Sequence, residues 1–492
     1  MKDLTQRTIR GGMAKVFSQG TNFFVRLGSL MVLARLLDPK DFGLVGMVTA
    51  VVGILNLFKD FGLSTATIQR TTISEEQIST LFWINLLAGA TLGLLSAAMA
   101  PALAAFYHEP RLVLVTTVMG MGFIFNAAGV QHSALLQRQM RFTSMAIIDV
   151  ISLSLSTVIG IIMAMSGYRY WALVAIGITT PLISTICAWL ITAWIPGPPR
   201  RQAGTRSMLR FGGTITLHGL VAYVAFNLDK VLLGRFWGVD AIGIYGRAFQ
   251  LTSMPTDNMN AAVGGVAFSA LSRVQDDSKR LKNYFIKGYS LVVALTVPLT
   301  VACILFGNDI VLVVLGTKWT QAVPILRLLA PTTLIFALIY PLGWLLYSLG
   351  LVARSLKIAL VLAPLMIVGY VLGLPYGPKG VAFAYSAVMT LWVVPHIAWC
   401  LHGTPVSLRD ILPAVGRPLA SSFAAALIAL GVRLICGFGL SPLPRLILES
   451  SSLLVTYLGI LLFVAGQKSL YLDLFRGLKT PSAIKKESLV SA

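Results

Sequence analysis

The chain has 492 residues, of which 56% are hydrophobic and only 12% charged, with a formal net charge of +21 and a mean hydropathy of +0.81. A soluble domain carries about a quarter of its residues charged, so this composition excludes a soluble enzyme and describes an all-α polytopic membrane protein. The apolar runs are about 20 residues long, matching bilayer-spanning helices, and the alternating ten-residue segments of a β-barrel are missing.

In chain order, the start MKDLTQRTIRGGMAK is basic and polar. No short apolar stretch with a cleavage site follows, so no removable signal peptide is expected. Hydropathy and turn residues place about fourteen transmembrane spans near 13–36, 42–62, 80–103, 111–131, 144–165, 171–195, 211–236, 242–270, 284–306, 324–347, 354–374, 378–400, 411–436 and 445–465. With the N-terminus inside, roughly 25 Lys and Arg fall in cytoplasmic segments and about nine in external turns. That asymmetry predicts both termini in the cytoplasm, and it absorbs most of the positive charge without any nucleic-acid partner. The external turns are short (LDPK, YHEP, SGYR, LPYGPK), so no soluble domain interrupts the spans. Cys187, Cys303, Cys400 and Cys436 lie in or at the ends of apolar runs, with no metal-ligand or disulfide spacing.

One stretch occurs twice. Residues 33–46 read LARLLDPKDFGLVG and residues 233–246 read LGRFWGVDAIGIYG, matching without a gap at Leu33/Leu233, Arg35/Arg235, Gly43/Gly243 and Gly46/Gly246. Each copy ends an apolar run on Arg, turns, and starts another run at Gly, as a membrane hairpin would. The offset of 200 residues spans six helices, an even number, so the repeat is parallel, with its pseudo-two-fold axis along the membrane normal. The expected organisation is therefore a six-helix lobe at 1–200, a second at 201–400, an extra helix pair at 401–466 and a cytoplasmic tail at 467–492.

Ionisable groups in a bilayer cost roughly 2.5–3.5 kcal/mol each at its centre, so they should face protein or water. In the first span, Lys15, Gln19, Asn22, Arg26 and Ser29 share one helical stripe. One turn beyond the repeat equivalent of Arg26 lies the sequence AFNLDKVLLG, with Asn227, Asp229 and Lys230. In the eighth span Arg247, Gln250 and Asp257 form another stripe. The economical reading is a water-filled cavity between the lobes with a cationic lining; the alternative is that Asp229, Lys230 and Arg247 pair with one another and hold helices together. Asp149 is expected near an interface, and His218 in packing. No Walker A loop, HExxH, G-x-S-x-G or external pair of carboxylates is present. Two parallel lobes, a polar face between them and no catalytic loop point to a secondary transporter rather than an enzyme, with no cofactor. An H+ or Na+ gradient is the open choice of driving force.

The run LARLLDPKDFGLVGMVTAVVGILNLFKDFGLSTATIQR resembles the first hairpin of Wzx-type polysaccharide flippases, in the polysaccharide transporter family of the multidrug/oligosaccharidyl-lipid/polysaccharide (MOP) superfamily. NLDKVLLGRFWGVDAIGIYGRAFQL and FSALSRVQDD resemble the matching hairpin and link of the second half. The resemblance implies a V-shaped pair of lobes and the flipping of undecaprenyl-pyrophosphate-linked oligosaccharide across the bacterial inner membrane, for exopolysaccharide, capsule or O-antigen assembly. It also implies that 411–465 form a groove for the lipid tail, with a polysaccharide polymerase and chain-length or export machinery as candidate partners. A cationic cavity suits a pyrophosphate. A drug or cation exporter of the same superfamily is the nearest alternative, disfavoured by like-charge repulsion from Arg26. A membrane polymerase or ligase would need a larger external loop. A passive scramblase or scaffold stays open.

Overall fold

The computed structural model describes residues 2–59, 67, 73–199, 205–436 and 439–468. The expected cytoplasmic tail lies almost wholly outside these residues. The helices are, in order, α1 (Lys2–Leu36), α2 (Pro39–Asn56), α3 (Glu75–Tyr107), α4 (Leu112–Arg138), α5 (Phe142–Met165), α6 (Trp171–Thr192), α7 (Thr205–Arg273), α8 (Ser278–Leu305), α9 (Gly307–Val314), α10 (Ala322–Ser348), α11 (Val352–Gly373), α12 (Gly377–Leu401), α13 (Leu408–Cys436) and α14 (Pro442–Gly459). Among the described residues, nine helical stretches are long and apolar enough to cross a membrane on length and composition, and the stretch 352–401 holds two of the expected spans. Helices α1, α2 and α7, outside that group, supply most of the charged and carboxamide side chains of the surface between the lobes.

Local chemistry sets the two hairpins. Asp38 precedes Pro39, and its backbone N–H donates to the Asp41 carboxylate at 3.1 Å, so α2 starts at the proline, earlier than the expected re-entry at Gly43. The second hairpin is one long helix broken only at Gly238, whose φ of 80° is a conformation that glycine tolerates and that ends the i→i+4 ladder. The break expected between the spans 211–236 and 242–270 is therefore a single residue. Within the first half, α3 packs on α4, α4 on α6, α6 on α5 and α5 on α1; within the second, α10 packs on α7, α8 and α12, and α11 on α12 and α7. Gly93 of α3 lets the Gly120 carbonyl approach to 3.1 Å of where its Cβ would be, so α3 and α4 pack closely.

The extra helices α13 and α14 pair with each other and pack on α8. Their interface buries Ala425, Ala429, Leu453 and Tyr457 against Ala294 and Phe306. It also carries charge. Arg445 of α14 bonds the fully buried Asp309 of α9, and Arg433 of α13 lies 3.5 Å from the fully buried Glu449 while donating to the Leu305 carbonyl at 3.0 Å. Removing one partner of a buried pair strands the other charge, at a cost of about 3–5 kcal/mol. Arg445→Leu is thus expected to lower thermal stability in detergent and expose the 402–407 link to protease, with Asp309→Leu added in the same chain restoring part of the loss. Unchanged melting and proteolysis in Arg445→Leu would show that the pair holds nothing.

Candidate functional site

The two hairpins meet face to face. A Cβ on Gly43 would stand 1.9 Å from the Val239 carbonyl oxygen, and a Cβ on Gly243 would stand 2.0 Å from the Pro39 carbonyl oxygen. Shifting either contact by 200 residues gives the other, the reciprocity of a two-fold axis running between the hairpins. Lys40 and Asp240, an exposed ion pair at 3.7 Å, obey the same relation.

Around that axis each lobe reaches into the other. The Arg35 guanidinium donates to the carbonyls of Val313 and Val314 at 2.5 and 3.2 Å, at the C-terminal end of α9. Its repeat mate Arg235 bonds His108, the left-handed residue that ends α3. Both cations sit at helix C-termini, where unpaired carbonyls make the field negative. Lys318 pairs with Asp38 at 2.7 Å, and the buried Trp319 donates its indole N–H to the Ala34 carbonyl at 2.9 Å. Leu30, Leu33 and Phe42 of the first half are buried in one cluster with Leu315, Leu326 and Leu329 of the second. Deeper in, Tyr223 of α7 donates to the α2 carbonyls of Thr49 and Ala50 at 3.0 and 3.2 Å, in the space left by Gly53. The lobes are thus sealed on the face that carries the hairpins.

Beneath the seal, adjoining cavities lie among the described residues. The first, of about 520 Å³, is lined by Gln19, Asn22 and Arg26 of α1, with Asn56, Asn126 and Asp149 from α2, α4 and α5. The second, of about 490 Å³, belongs to the C-terminal half and is lined by Asn227, Lys230 and Asp257 among aromatic rings. A third, of about 380 Å³, lies at the junction, bounded by Phe42 and Thr49 of α2 and by Tyr223, Lys230, Arg247 and Gln250 of α7. Arg26 is exposed into this space and Asn22 is buried against Ser18. Lys230 bonds the Asn227 side-chain oxygen at 2.8 Å and lies 4.5 Å over the Phe249 ring. Arg247 lies 4.7 Å over the Phe42 ring of the other half. Asp257 accepts from the Tyr340 hydroxyl at 3.1 Å.

Seven of the eight expected site residues, Gln19, Asn22, Arg26, Asn227, Lys230, Arg247 and Asp257, thus border connected space. Asp229 does not. It is fully buried, accepting from the Tyr245 hydroxyl at 2.7 Å inside the C-terminal half. Residues i and i+1 of a helix point about 100° apart, and here that turn puts Lys230 on the cavity and Asp229 against Tyr245 in the interior of the C-terminal half. Asp149, read as interfacial, lines the first cavity, and Asn56, Asn126 and Tyr223 were not singled out. Polar side chains in otherwise apolar spans were the available signal. The His218 side chain lies outside the described residues. Among the described residues no group of His, Cys, Asp or Glu is arranged to hold a metal ion.

A family model described as "Polysaccharide biosynthesis protein" matches residues 32–324. The lipopolysaccharide biosynthesis protein WzxC of Escherichia coli is 26% identical over 362 residues, 72% of either chain. The teichuronic acid biosynthesis protein TuaB of Bacillus subtilis is 28% identical over 332 residues, 66% of this chain and 67% of that one. Among solved structures, the lipid II flippase MurJ in an inward closed conformation aligns with a TM-score of 0.73 at 16% identity, covering 95% of this chain and 100% of that one. An inward-facing multidrug resistance transporter of the MATE family and MOP superfamily aligns at 0.59 and 14% identity, covering 79% and 98%. The sealed hairpin face and the polar space beneath it are therefore built on the two-lobe all-α fold that these structures share, and the chain belongs to the polysaccharide biosynthesis protein family.

Proposed function

We propose that this chain is a flippase that carries undecaprenyl-pyrophosphate-linked oligosaccharide from the cytoplasmic to the outer leaflet of the bacterial inner membrane. The observation that carries the reading is the polar space beneath a closed hairpin face, entered by the cations Arg26, Lys230 and Arg247. A pyrophosphate is a dense anion that Arg and Lys bind through charge-assisted hydrogen bonds, while its lipid tail can stay in the bilayer. With the termini inside, as the Lys/Arg asymmetry supports, the sealed face is external and the cavity takes its load from the cytoplasm. Release then requires the reciprocal hairpin contacts to part while the opposite face closes, which is alternating access of lobes 1–200 and 201–400 around one site. The relatives support the cargo: the Rhizobium meliloti relative is named a succinoglycan biosynthesis transport protein and the Haloferax volcanii one a probable glycan biosynthesis flippase.

The work is transport rather than covalent chemistry. Coupling to an H+ or Na+ gradient falls to Asp229, a fully buried carboxylate whose Oδ1 has no hydrogen-bond partner among the described residues. A proton or Na+ on that oxygen would satisfy it and bias the packing of α7. Helices α13 and α14 present exposed apolar residues such as Leu419, Phe423 and Leu427 that suit a lipid tail. A polysaccharide polymerase and export machinery would receive the flipped unit.

Cells lacking the chain are expected to lose surface polysaccharide while undecaprenyl-pyrophosphate-linked oligosaccharide accumulates in the inner leaflet, both reversed by the wild-type gene. Loss of the polysaccharide without accumulation, or with accumulation of shorter precursors, would place the defect in synthesis and sink the proposal.

A further inference from the structure

The two lobe cavities are nearly equal in volume, about 520 and 490 Å³, yet their linings differ in kind. Among the described residues, Phe123 is the one aromatic residue lining the N-terminal cavity, whose polar groups are carboxamides, hydroxyls, Arg26 and Asp149. The C-terminal cavity is walled by rings. Phe336 and Tyr340 stack with centroids 5.3 Å apart and planes 19° apart, and Phe226 meets Phe336 edge-on at 5.9 Å. Trp344 and the 40% exposed Tyr347 continue the wall. Hydrogen-bonding groups are fixed at the edges of these rings: Asp257 by the Tyr340 hydroxyl at 3.1 Å, and the Asn260 oxygen by the Trp344 indole at 3.0 Å.

Resting on the flippase reading, we propose that the C-terminal cavity is the saccharide subsite. A sugar ring has a C–H face that an aromatic face covers and a rim of hydroxyls that demands carboxylate or carboxamide partners once water is excluded. A lining of aromatic rings, with Tyr347 substantially exposed and Asp257 and Asn260 beside them, offers both in a cavity of ordinary ligand size. Position gives the polarity of the cargo. Asn227, Lys230, Phe249 and Ser253 line both this cavity and the junction where Arg247 stands. The pyrophosphate therefore sits among Arg26, Arg247 and Lys230, and the oligosaccharide extends from Lys230 along the Phe336/Tyr340 wall. The subsite fixes which glycans are carried, whereas the cations recognise a head group common to all of them.

The test measures binding of two probes to the full-length protein in nanodiscs: undecaprenyl pyrophosphate, and the undecaprenyl-pyrophosphate-linked oligosaccharide extracted from cells lacking this chain. Tyr347→Ala and Tyr340→Leu are each expected to weaken the glycan-bearing probe about tenfold, leaving the sugar-free probe within about twofold, because only the first loses ring contacts. Arg26→Ala is expected to weaken both probes alike. Tyr347 is substantially exposed, so its replacement keeps the test intact should Tyr340→Leu misfold. Equal weakening of both probes by the ring variants, as a lipid tail in the cavity would give, overturns the assignment, and so does no weakening of either. If the wild type binds neither probe, the flippase reading itself fails and takes the subsite with it.

Discussion

Gly43→Ala is expected to abolish polysaccharide export to within about a hundredth of wild type while leaving membrane abundance intact. The added methyl would sit 1.9 Å from the Val239 carbonyl oxygen, a backbone atom that no side-chain rotation can move aside. Overpacking of this kind costs about 1–3 kcal/mol even where side chains can adjust, and the relief available here is separation of the lobes. A penalty of about 3 kcal/mol on the sealed state alone shifts the equilibrium between states roughly a hundredfold away from it. The chain folds, inserts and idles with its loading state depopulated. Gly243→Ala meets the Pro39 carbonyl at 2.0 Å and should do the same. Gly246→Ala is the control, because nothing lies within 4 Å of its added Cβ. The measurements are export together with labelling of a cysteine at position 240 by a membrane-impermeant maleimide. Labelling should be faster in Gly43→Ala and unchanged in Gly246→Ala, and normal export by Gly43→Ala would show that the hairpins need not close.

Arg26→Ala should lower flipping about ten- to a hundredfold, the worth of a charge-assisted hydrogen bond of about 1.5–3 kcal/mol to a ligand phosphate. Arg26→Lys should retain part of the activity, because the charge survives but the two-pronged geometry does not. The side chain is exposed into the cavity, so thermal stability should hardly change. Lys230→Ala should show the smaller defect. Its ammonium is already held by Asn227 and by the Phe249 ring. Flipping of lipid-linked oligosaccharide in reconstituted vesicles, normalised to protein in the membrane, reads all three. Wild-type flipping by Arg26→Ala would make Arg26 a packing charge and remove the cavity's assigned head-group site.

Helix-period patterns made the cavity-facing side of α1 legible, because Gln19, Asn22 and Arg26 are spaced so that only one face carries them. The same arithmetic applied across a neighbouring pair would have separated Asp229 from Lys230, and the composition of the stretch obscured it. The duplicated hairpin was readable because both copies keep the glycines at the same offset. What those glycines touch was not, since Gly43 meets Val239 and Gly243 meets Pro39 across about 200 residues of intervening chain. The start of α2 was written in Asp38-Pro39-Lys40-Asp41, a helix-start signature that the hydropathy of the following run overshadowed. Helix α9 and the Lys318–Asp38 and Trp319–Ala34 contacts carry no local periodicity, being made by a short connection against a distant hairpin. Most of the aromatic wall of the C-terminal cavity is one stripe of α10, Phe336, Tyr340, Trp344 and Tyr347 at spacings of 4, 4 and 3, which the uniformly apolar surroundings of that helix overshadow.

The central claim is that transport requires the hairpin face to open and close around a loaded cavity. Lys40→Cys and Asp240→Cys, introduced together where the native cysteines Cys187, Cys303, Cys400 and Cys436 have been replaced by alanine, put two thiols at exposed positions that now form an ion pair at 3.7 Å. The unlinked protein should flip undecaprenyl-pyrophosphate-linked oligosaccharide in vesicles at close to the native rate. Joining the thiols with a short reducible bridge should stop flipping while leaving cargo binding from the opposite face, and reduction should restore it. Flipping that continues at full rate in the bridged protein would contradict the account.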